Sequence, residues 1–397
     1  MNKQEILTLY QKYIINCYRK DDFVFIKGKG SWLESIDGKK YLDFFPGWAV
    51  SGLGHSPSEI VKAIKKQAQE LIHLPNNYYH PLQAFLAERI SSLSFGGKVF
   101  FCNSGAEANE AAIKLCRLYG QTRKKYKIIS MENSFHGRTL ATVTLTGQTK
   151  YSEPFKPLPT GFSYVPFNDF ETLSKSIDEE TVGIFLELIQ GEGGINVVDK
   201  NYLEKVYDLC LQKDILLIFD EVQTGFGRTG KFFAYQHFGI EPHIMTIAKT
   251  MGGGFPVGAM VAKKEISDLM KPGTHASTFG GSPLACASCL SVLKMIEEKN
   301  LIEKANIYGN YLKGKLLKLK EKFNFITNIK GMGLMLGLEF DRPGEQFVKI
   351  CQNKGLLLNC THQNVIRIMP ALTVKKSEID IAIKIIEESL IEFSKIN

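Results

Sequence analysis

The chain has 397 residues, of which 44% are hydrophobic and 23% are charged, a composition typical of a globular protein with one large domain or two ordinary ones. Its formal net charge of +8 is spread over many lysines along the chain and forms no basic stripe interleaved with aromatic residues, so we expect no nucleic-acid partner. No apolar run is long enough to span a bilayer, and the N-terminal segment lacks a signal peptide's apolar core, which predicts a cytoplasmic protein that binds no membrane.

The N-terminal part of the chain predicts a short helix followed by strands. Apolar alternation in SWLESIDGKKYLDF predicts a hairpin, and turns are expected at Lys27-Gly28 and Asp37-Gly38. Residues 58–73 carry apolar residues at helical spacing and predict a helix.

Short apolar runs alternate with helical segments from about residue 98 to residue 265. The strand candidates are KVFFCN, YKIISM, VGIFLEL, DILLIFDE and HIMTIAK. Continuous apolar strands separated by helices indicate a mainly parallel sheet that is covered on both faces. We therefore predict a large α/β domain over residues 51–284.

The C-terminal part predicts a smaller α/β unit over residues 285–397. A helix is followed by the strand-like segments MGLMLGLEF, GLLLNC and NVIRIMP and by a final helix. No Pro- or Ser-rich linker separates the parts, so residues 1–50 are expected to contribute to this small domain.

The eight cysteines do not form a disulfide framework in a chain of this length. Cys286 and Cys289 make a Cys-x-x-Cys, which could be a redox pair or half of a metal site. They lie in the helical apolar run PLACASCLSVLKMI, so we interpret them as buried free thiols. No other cysteine or histidine has zinc-site spacing, and no metal is expected.

Two charged residues close strongly apolar runs. Asp220 ends ILLIFDE, and Lys249 ends HIMTIAK just before the glycine-rich MGGGFPVG. Ligands bind at the carboxyl edge of open α/β sheets, and charges there are costly unless they are paired or used. Pyridoxal phosphate would use both, since a lysine amine forms a Schiff base with its aldehyde and an acid keeps its pyridine nitrogen protonated. The alternative is that Asp220 caps a turn and Lys249 is exposed to solvent.

Two further segments could bind the cofactor's phosphate. FFCNSGAEANEAAIKLC predicts a strand, a tight turn and a helix that begins near Ala106, where free backbone amides and the Ser104 hydroxyl favour an anion. The same pattern, with Glu107 in the first turn, is equally an ordinary helix N-cap. STFGGSP offers Ser277 and Thr278 beside two glycines as a second phosphate contact.

Aromatic and cationic residues suggest how a flat ring and carboxylates would be recognised. SFHGRTL places Phe135 and Arg138 just after YKIISM, where an aromatic ring could stack on a cofactor and an arginine could bind a carboxylate bidentately. Arg367 lies between apolar residues in NVIRIMP and needs a buried anionic partner or a ligand. Glu192, in QGEGG, could supply that partner.

Together these segments resemble the class III, or subgroup II, aminotransferases of fold type I, and among them the acetylornithine and ornithine aminotransferases. The motifs occur in the family's order: LGH, NSGAEANEAAIKL, FHGRTL, QGEGG, DEVQTGFGRTG, AKTMGGGFPVGAM, STFGGSPLAC and RIMPAL. Each motif is weak by itself, but the set covers nearly the whole chain and is highly specific. The resemblance implies a fold type I pyridoxal-phosphate-dependent transferase, with a large and a smaller domain, that forms a homodimer with shared active sites.

The resemblance also implies a role for each matching residue. Lys249 and Asp220 are the expected catalytic residues. Cofactor-binding residues are expected to be Ser104, Gly105, Ala106, Phe135, Asp220, Gln223, Lys249 and, from the neighbouring subunit, Thr278. Substrate-binding residues are expected to be Tyr18, Arg138, Glu192, Ser277 and Arg367.

The implied reaction moves the amino group of N2-acetylornithine, or of a similar ω-amino donor, to 2-oxoglutarate. Arg367 would bind the carboxylate of the 2-oxo acid, and Glu192 would pair with it when the donor occupies the site. Ornithine and 4-aminobutyrate are alternative donors, and decarboxylation or racemisation is alternative chemistry on the same fold. A nucleotide-binding module is disfavoured because the glycine-rich segments do not form the dinucleotide fingerprint.

The sequence departs from the family's pattern at two positions. Leu188 follows Glu187 where the family commonly has proline, which would adjust strand geometry. Trp48 stands where acetylornithine enzymes usually carry a smaller aliphatic residue. It would either narrow the donor pocket or pack in the core at the domain junction.

Overall fold

The computed structural model describes residues 1–396, so Asn397, the last residue of the predicted C-terminal unit, lies outside the described residues. The strands are β1 (Phe25–Lys29), β2 (Trp32–Ser35), β3 (Lys40–Asp43), β4 (Lys98–Cys102), β5 (Lys127–Met131), β6 (Phe162–Val165), β7 (Thr181–Leu186), β8 (Ile189–Gln190), β9 (Asn196–Val197), β10 (Leu216–Asp220), β11 (Ile244–Ile247), β12 (Gly258–Ala262), β13 (Ile326–Met332), β14 (Met335–Phe340), β15 (Leu356–Leu357), β16 (Asn359–Thr361) and β17 (Val365–Ile368). The α-helices are α1 (Lys3–Tyr13), α2 (Ser58–Glu70), α3 (Pro81–Leu93), α4 (Gly105–Gln121), α5 (Leu140–Leu145), α6 (Thr149–Ser152), α7 (Phe170–Ser176), α8 (Lys200–Lys213), α9 (Lys264–Ser267), α10 (Pro283–Glu298), α11 (Leu301–Lys322), α12 (Glu345–Asn353) and α13 (Lys376–Phe393).

The largest sheet has seven strands in the order β4-β12-β11-β10-β7-β5-β6. The pairs β11–β10, β10–β7, β7–β5 and β5–β6 are parallel, whereas β12 is antiparallel to both β11 and β4. Strands β4, β5, β7, β10 and β11 lie in the predicted apolar runs; the sequence does not single out β6 or β12. The predicted α/β fold with a mainly parallel sheet is confirmed.

Burial explains why these runs become central strands. Every residue of β7 and of β10 is buried, as a strand covered on both faces requires. Helix α4 covers one face and packs on β11 and β12. It turns the small residues Ala108, Ala111 and Ala112 inward, so its backbone lies close to the sheet.

The N-terminal strands form a sheet with part of the C-terminal segment, in the order β1-β2-β3-β15. The predicted hairpin is confirmed as the antiparallel pair β2–β3, with Gly38 in its turn at φ 75°. The turn predicted at Lys27-Gly28 is wrong, because both residues lie within β1 and the chain reverses at Gly30, which adopts φ 59°. β15 pairs parallel with β3, so both ends of the chain build this sheet, while the domain boundaries stay a prediction.

A third sheet, β13-β14-β17-β16, carries the predicted arginine strand. Fully buried Arg228, from GFGRTG, donates from Nη1 to the carbonyl oxygens of Leu334 and Pro370 and so ties the segment after β10 to this region. The predicted buried thiols are confirmed, since Cys286 and Cys289 are unpaired and buried on α10. Within residues 1–396, every helix is too short or too polar to cross a membrane.

Candidate active site

A cavity of about 390 Å³ opens at the carboxyl edge of the seven-stranded sheet. Because β4, β10 and β11 run in the same direction, the residues that follow them meet at this edge. The cavity has the volume of a typical small-molecule site. Predicted site residues among those that line it are Ser104, Gly105, Ala106, Phe135, Arg138, Glu192, Asp220, Gln223 and Lys249.

Asp220 is a buried carboxylate, 5% exposed, held by a hydrogen-bond network. Its Oδ2 accepts from Asn109 Nδ2 at 2.9 Å and lies 2.8 Å from His136 Nδ1, and its Oδ1 accepts from the Val222 amide at 3.0 Å. His136 Nε2 lies 3.2 Å from Ser130 Oγ, which fixes the ring from its other side. These partners offset the cost of burying the carboxylate and fix its direction.

Asn109 and His136 line the cavity but were not predicted from the sequence. Both are buried, and both lie inside motifs that were singled out for other residues. Asn109 is a polar residue on the face of α4 that otherwise presents alanines to the sheet. A polar residue within such a buried face was the available signal, because it requires a partner.

Lys249 follows β11 by two residues and begins a short 3₁₀ helix in a left-handed conformation, with φ 52°. This conformation is unfavourable for a residue with a Cβ and is found mostly where function requires it. Burial lowers the pKa of the amine, an effect that the nearby carboxylates of Glu192 and Asp220 oppose. Within residues 1–396 the Lys249 amine makes no hydrogen bond or ion pair, so it is free to react.

The start of α4, where the sequence predicts an anion site, lies at the cavity. Ser104 is the N-cap, and its hydroxyl accepts from the Glu107 amide at 3.2 Å. Ser104 is therefore an ordinary helix N-cap, as one of the two interpretations predicted. Ser104, Gly105 and Ala106 also line the cavity. A Cβ on Gly105 would lie 2.7 Å from the Val222 side chain, so glycine allows the start of the helix to lie this close to Val222.

Arg138 reaches the cavity beside two aromatic rings. Its guanidinium lies 4.0 Å from the ring centre of Tyr151 and 5.4 Å from that of Phe135. Such stacking leaves the edge of the guanidinium fork available for a carboxylate.

Glu187 is a second buried carboxylate near Asp220. The sequence predicted no role for Glu187. It accepts from the Phe135 amide at 3.0 Å and from the Gly191 amide at 3.3 Å. Burial raises its pKa to about 7, His136 opposes this rise and Asp220 adds to it. Glu187 thereby holds the two segments that carry Phe135 and Glu192.

Arg367 and Glu192 form the pair that the sequence suggested. Arg367 Nη1 lies 2.5 Å from Glu192 Oε1, and only 1% of the arginine side chain is exposed. Burial raises the pKa of Glu192, but the charge and hydrogen bond of Arg367 outweigh this and lower the pKa below its ordinary value. Phe45 covers the guanidinium, 4.5 Å from its ring centre.

Some predicted residues lie outside the cavity. Tyr18 is 64% exposed in the N-terminal segment, and Thr278 is exposed as well. Ser277 lies near the edge of the site, where its hydroxyl accepts from Asn103 Nδ2 at 3.3 Å. Trp48 is 53% exposed, so its interpretation as a core residue is wrong for this chain.

These features fit pyridoxal phosphate. A reactive buried amine, a buried carboxylate and a helix start converge on one cavity, and Gln223 contributes a buried Oε1 without a hydrogen-bond partner among the described residues. When bound, this cofactor serves as an electron sink for reactions of amino groups. The fold and the site together define a pyridoxal-phosphate-dependent enzyme of fold type I.

Comparisons with known proteins narrow this class. The aminotransferase class-III model matches residues 17–390. The acetylornithine aminotransferase of Methanocaldococcus jannaschii is 48% identical over 398 residues, which covers 100% of both chains. The chain therefore belongs to the class-III aminotransferases, and it is an enzyme that uses pyridoxal phosphate.

Solved structures agree with this assignment. The acetylornithine aminotransferase of Elizabethkingia anophelis is 32% identical with a TM-score of 0.87, and the match covers 99% of this chain and 100% of that one. An ornithine aminotransferase of Toxoplasma gondii, with pyridoxal phosphate partly occupying its active site, is 30% identical with a TM-score of 0.95, over 99% of this chain and 95% of that one.

Proposed function

We propose that this enzyme moves the ω-amino group of N2-acetylornithine to 2-oxoglutarate, as a cytoplasmic step of arginine biosynthesis. The observation that carries the proposal is the arrangement of two arginines at the Lys249 cavity. Arg138 lies against the Tyr151 ring and is in no ion pair among the described residues, whereas Arg367 is paired with Glu192. The identity to acetylornithine aminotransferases supports the choice of donor.

The proposed cofactor-binding residues are those that converge on the cavity. Lys249 would bind the cofactor covalently, and Asp220 would accept a hydrogen bond from its ring nitrogen. The start of α4, Ser104 with Gly105 and Ala106, would hold the phosphate. Phe135 would stack on the ring and Gln223 would contact its phenolic oxygen, in line with their places in the cavity wall.

Lys249 is also the proposed proton carrier. Its amine is buried and its pKa is lowered, so a larger fraction is neutral than for a lysine in water. A neutral amine can take a proton from a bound donor and return it to a bound acceptor. Asp220, fixed by Asn109 and His136, would stay in place during these transfers because its partners are themselves buried.

The two arginines explain how one site would accept two different substrates. The donor carries one carboxylate, which Arg138 would bind. The Glu192–Arg367 pair would stay closed at the other end of the donor, which carries the reacting amine and no second carboxylate. 2-Oxoglutarate carries two carboxylates, and the second would replace Glu192 on Arg367. The replacement exchanges one anion for another, so the buried arginine is neutralised throughout.

We also propose that the enzyme is a homodimer whose partner contributes to each site. Support comes from large apolar side chains that are exposed near Thr278, including Phe279, and from Tyr78 and Tyr79. Helix α1 has no buried residue in the single chain. Exposed apolar surface of this kind marks an interface, and a second copy would bring Thr278 to the cavity that it does not reach within one chain.

The reaction is tested by titrating the cofactor-loaded enzyme with single amines and following the visible absorbance of the bound cofactor. We expect N2-acetylornithine to convert the cofactor and 2-oxoglutarate to restore it. Faster conversion by ornithine or 4-aminobutyrate would refute the proposed donor but keep transamination. Conversion by no amine, or release of carbon dioxide, would refute transamination.

A further inference from the structure

Asn359 is a second partner of Arg367, and nothing in the sequence pattern draws attention to it. Asn359 Oδ1 accepts from Arg367 Nε at 2.8 Å and from Arg367 Nη2 at 2.5 Å. The two residues lie directly opposite each other in the antiparallel pair β16–β17. Cross-strand partners of this kind have adjacent side chains, so the contact is built into the register of the sheet.

The partners of Arg367 are of two kinds, neutral and charged. Asn359 and the Gly191 carbonyl, which accepts from Nη1 at 3.3 Å, are neutral. Glu192 is the only carboxylate paired with Arg367 within residues 1–396. The side of the guanidinium that carries Nε is thus held by a neutral acceptor, while the Nη1 side faces the anion.

We propose that Asn359 is the residue that makes Arg367 selective for a dicarboxylic acceptor, by fixing the guanidinium without neutralising it. This inference rests on the proposed function, in which the second carboxylate of 2-oxoglutarate replaces Glu192. A neutral partner leaves the full positive charge of Arg367 to attract the incoming carboxylate. The two hydrogen bonds that Asn359 accepts would also keep the guanidinium in place, next to the Glu192 position, when Glu192 moves away.

An aspartate at this position would act differently although it has nearly the same shape. Its carboxylate would form a permanent ion pair with Arg367. The positive charge of the buried guanidinium would then already be neutralised, without any second anion. Substrate carboxylate and Glu192 would then both be repelled, because two carboxylates would share one guanidinium. Binding of the acceptor should weaken most, since only the acceptor places a second carboxylate at Arg367.

The decisive measurement is the dissociation constant of glutarate for the cofactor-loaded enzyme, by isothermal titration calorimetry. Glutarate has the two carboxylates of the acceptor but cannot react. We expect Asn359→Asp to weaken glutarate binding by about 10- to 100-fold, the range for losing a hydrogen-bonded charge contact. Conversion of the cofactor by N2-acetylornithine should change by less than about threefold, because the donor has no second carboxylate.

Gln363→Glu is the matched control. Gln363 is exposed in the turn between β16 and β17, and the change adds the same charge four residues from Arg367 without touching it. Glutarate binding should be unaltered in this variant. Asn359→Ala is the second test if the aspartate variant does not fold, and it should weaken glutarate more than it slows the donor, because the fork is no longer held.

The outcomes separate the two proposals. The role of Asn359 would be overturned by unchanged glutarate binding in both Asn359 variants, or by equal losses for glutarate and for the donor. In either case the proposed function would stand, provided that the native enzyme binds glutarate. If the native enzyme itself does not bind glutarate, the proposed function fails and this inference fails with it.

Discussion

Replacing Glu221 by glutamine should make the protein more stable at alkaline pH and leave its stability at acid pH nearly unchanged. Glu221 follows β10 and is 1% exposed. Its Oε1 accepts from the Tyr235 amide at 2.8 Å, and its Oε2 accepts from the Thr224 hydroxyl. Burial raises its pKa from 4.5 to about 7, hydrogen bonds from Thr224 and the backbone oppose the rise, and neighbouring Asp220 adds to it.

The sign and size of the effect follow from proton linkage. Below pH 4.5 the group is protonated in both the folded and the unfolded chain and contributes nothing. Between pH 4.5 and about 7 the unfolded chain releases the proton while the folded chain keeps it, so the free energy of unfolding falls as pH rises. Above about pH 7 the loss is complete and amounts to about 3 kcal/mol.

Glutamine has the shape of glutamate without its charge. Its oxygen can keep the hydrogen bond from the Tyr235 amide, and its amide group can donate to the Thr224 hydroxyl. The free energy of unfolding of the variant should therefore exceed that of the native protein by up to about 3 kcal/mol near pH 8, and the two should be nearly equal near pH 4. Glu303→Gln, an exposed change on α11, is the control for the loss of one carboxylate.

Urea denaturation of both proteins across this pH range measures the difference. Glu187, whose pKa is also raised, titrates in both proteins and cancels when the two curves are subtracted. A constant difference between Glu221→Gln and the native protein at all pH values would refute the argument. It would mean that the surrounding donors fully offset the burial of the charge.

Three further changes test the site. Lys249→Ala should abolish turnover and the visible absorbance of lysine-bound cofactor, and retained turnover would contradict its proposed role. Glu192→Gln should slow the donor half-reaction about tenfold and the acceptor half-reaction less, because only the acceptor brings a carboxylate that can replace Glu192 on Arg367; equal losses, measured by single-turnover absorbance, would argue against exchange at Arg367. Trp48→Ala should shift the melting temperature by less than about 2 °C, since the ring is exposed; a larger drop in a thermal melt would indicate buried contacts.

The sequence predicts the central strands and the chemical centre of the site because both leave local signals. An uninterrupted apolar run marks a strand covered on both faces, as in β7 and β10. A charge that closes such a run, as Asp220 and Lys249 do, is conspicuous because burying it is costly. β12 carries no comparable signal, since its five residues GAMVA include glycine and two alanines.

Contacts between distant parts of the chain are what the sequence does not reveal. Asn109 lies 111 residues and His136 lies 84 residues from Asp220 along the chain. The register that sets Asn359 opposite Arg367 depends on how two short strands pair. Tyr18 and Thr278 remain predictions, because they lie outside the cavity of a single chain.

The position of β4 at the edge of the large sheet has a consequence for the order in which the enzyme assembles. Within that sheet β4 is bonded only to β12, whose residues 258–262 leave the ribosome long after Lys98–Cys102. We therefore expect β4, which precedes α4, to stay unpaired in this sheet until β12 has been synthesised. Closing so long a loop is slow, and the exposed edge of a waiting strand invites pairing with other chains. We therefore expect the cofactor cavity to form late in folding, after the parallel part of the sheet.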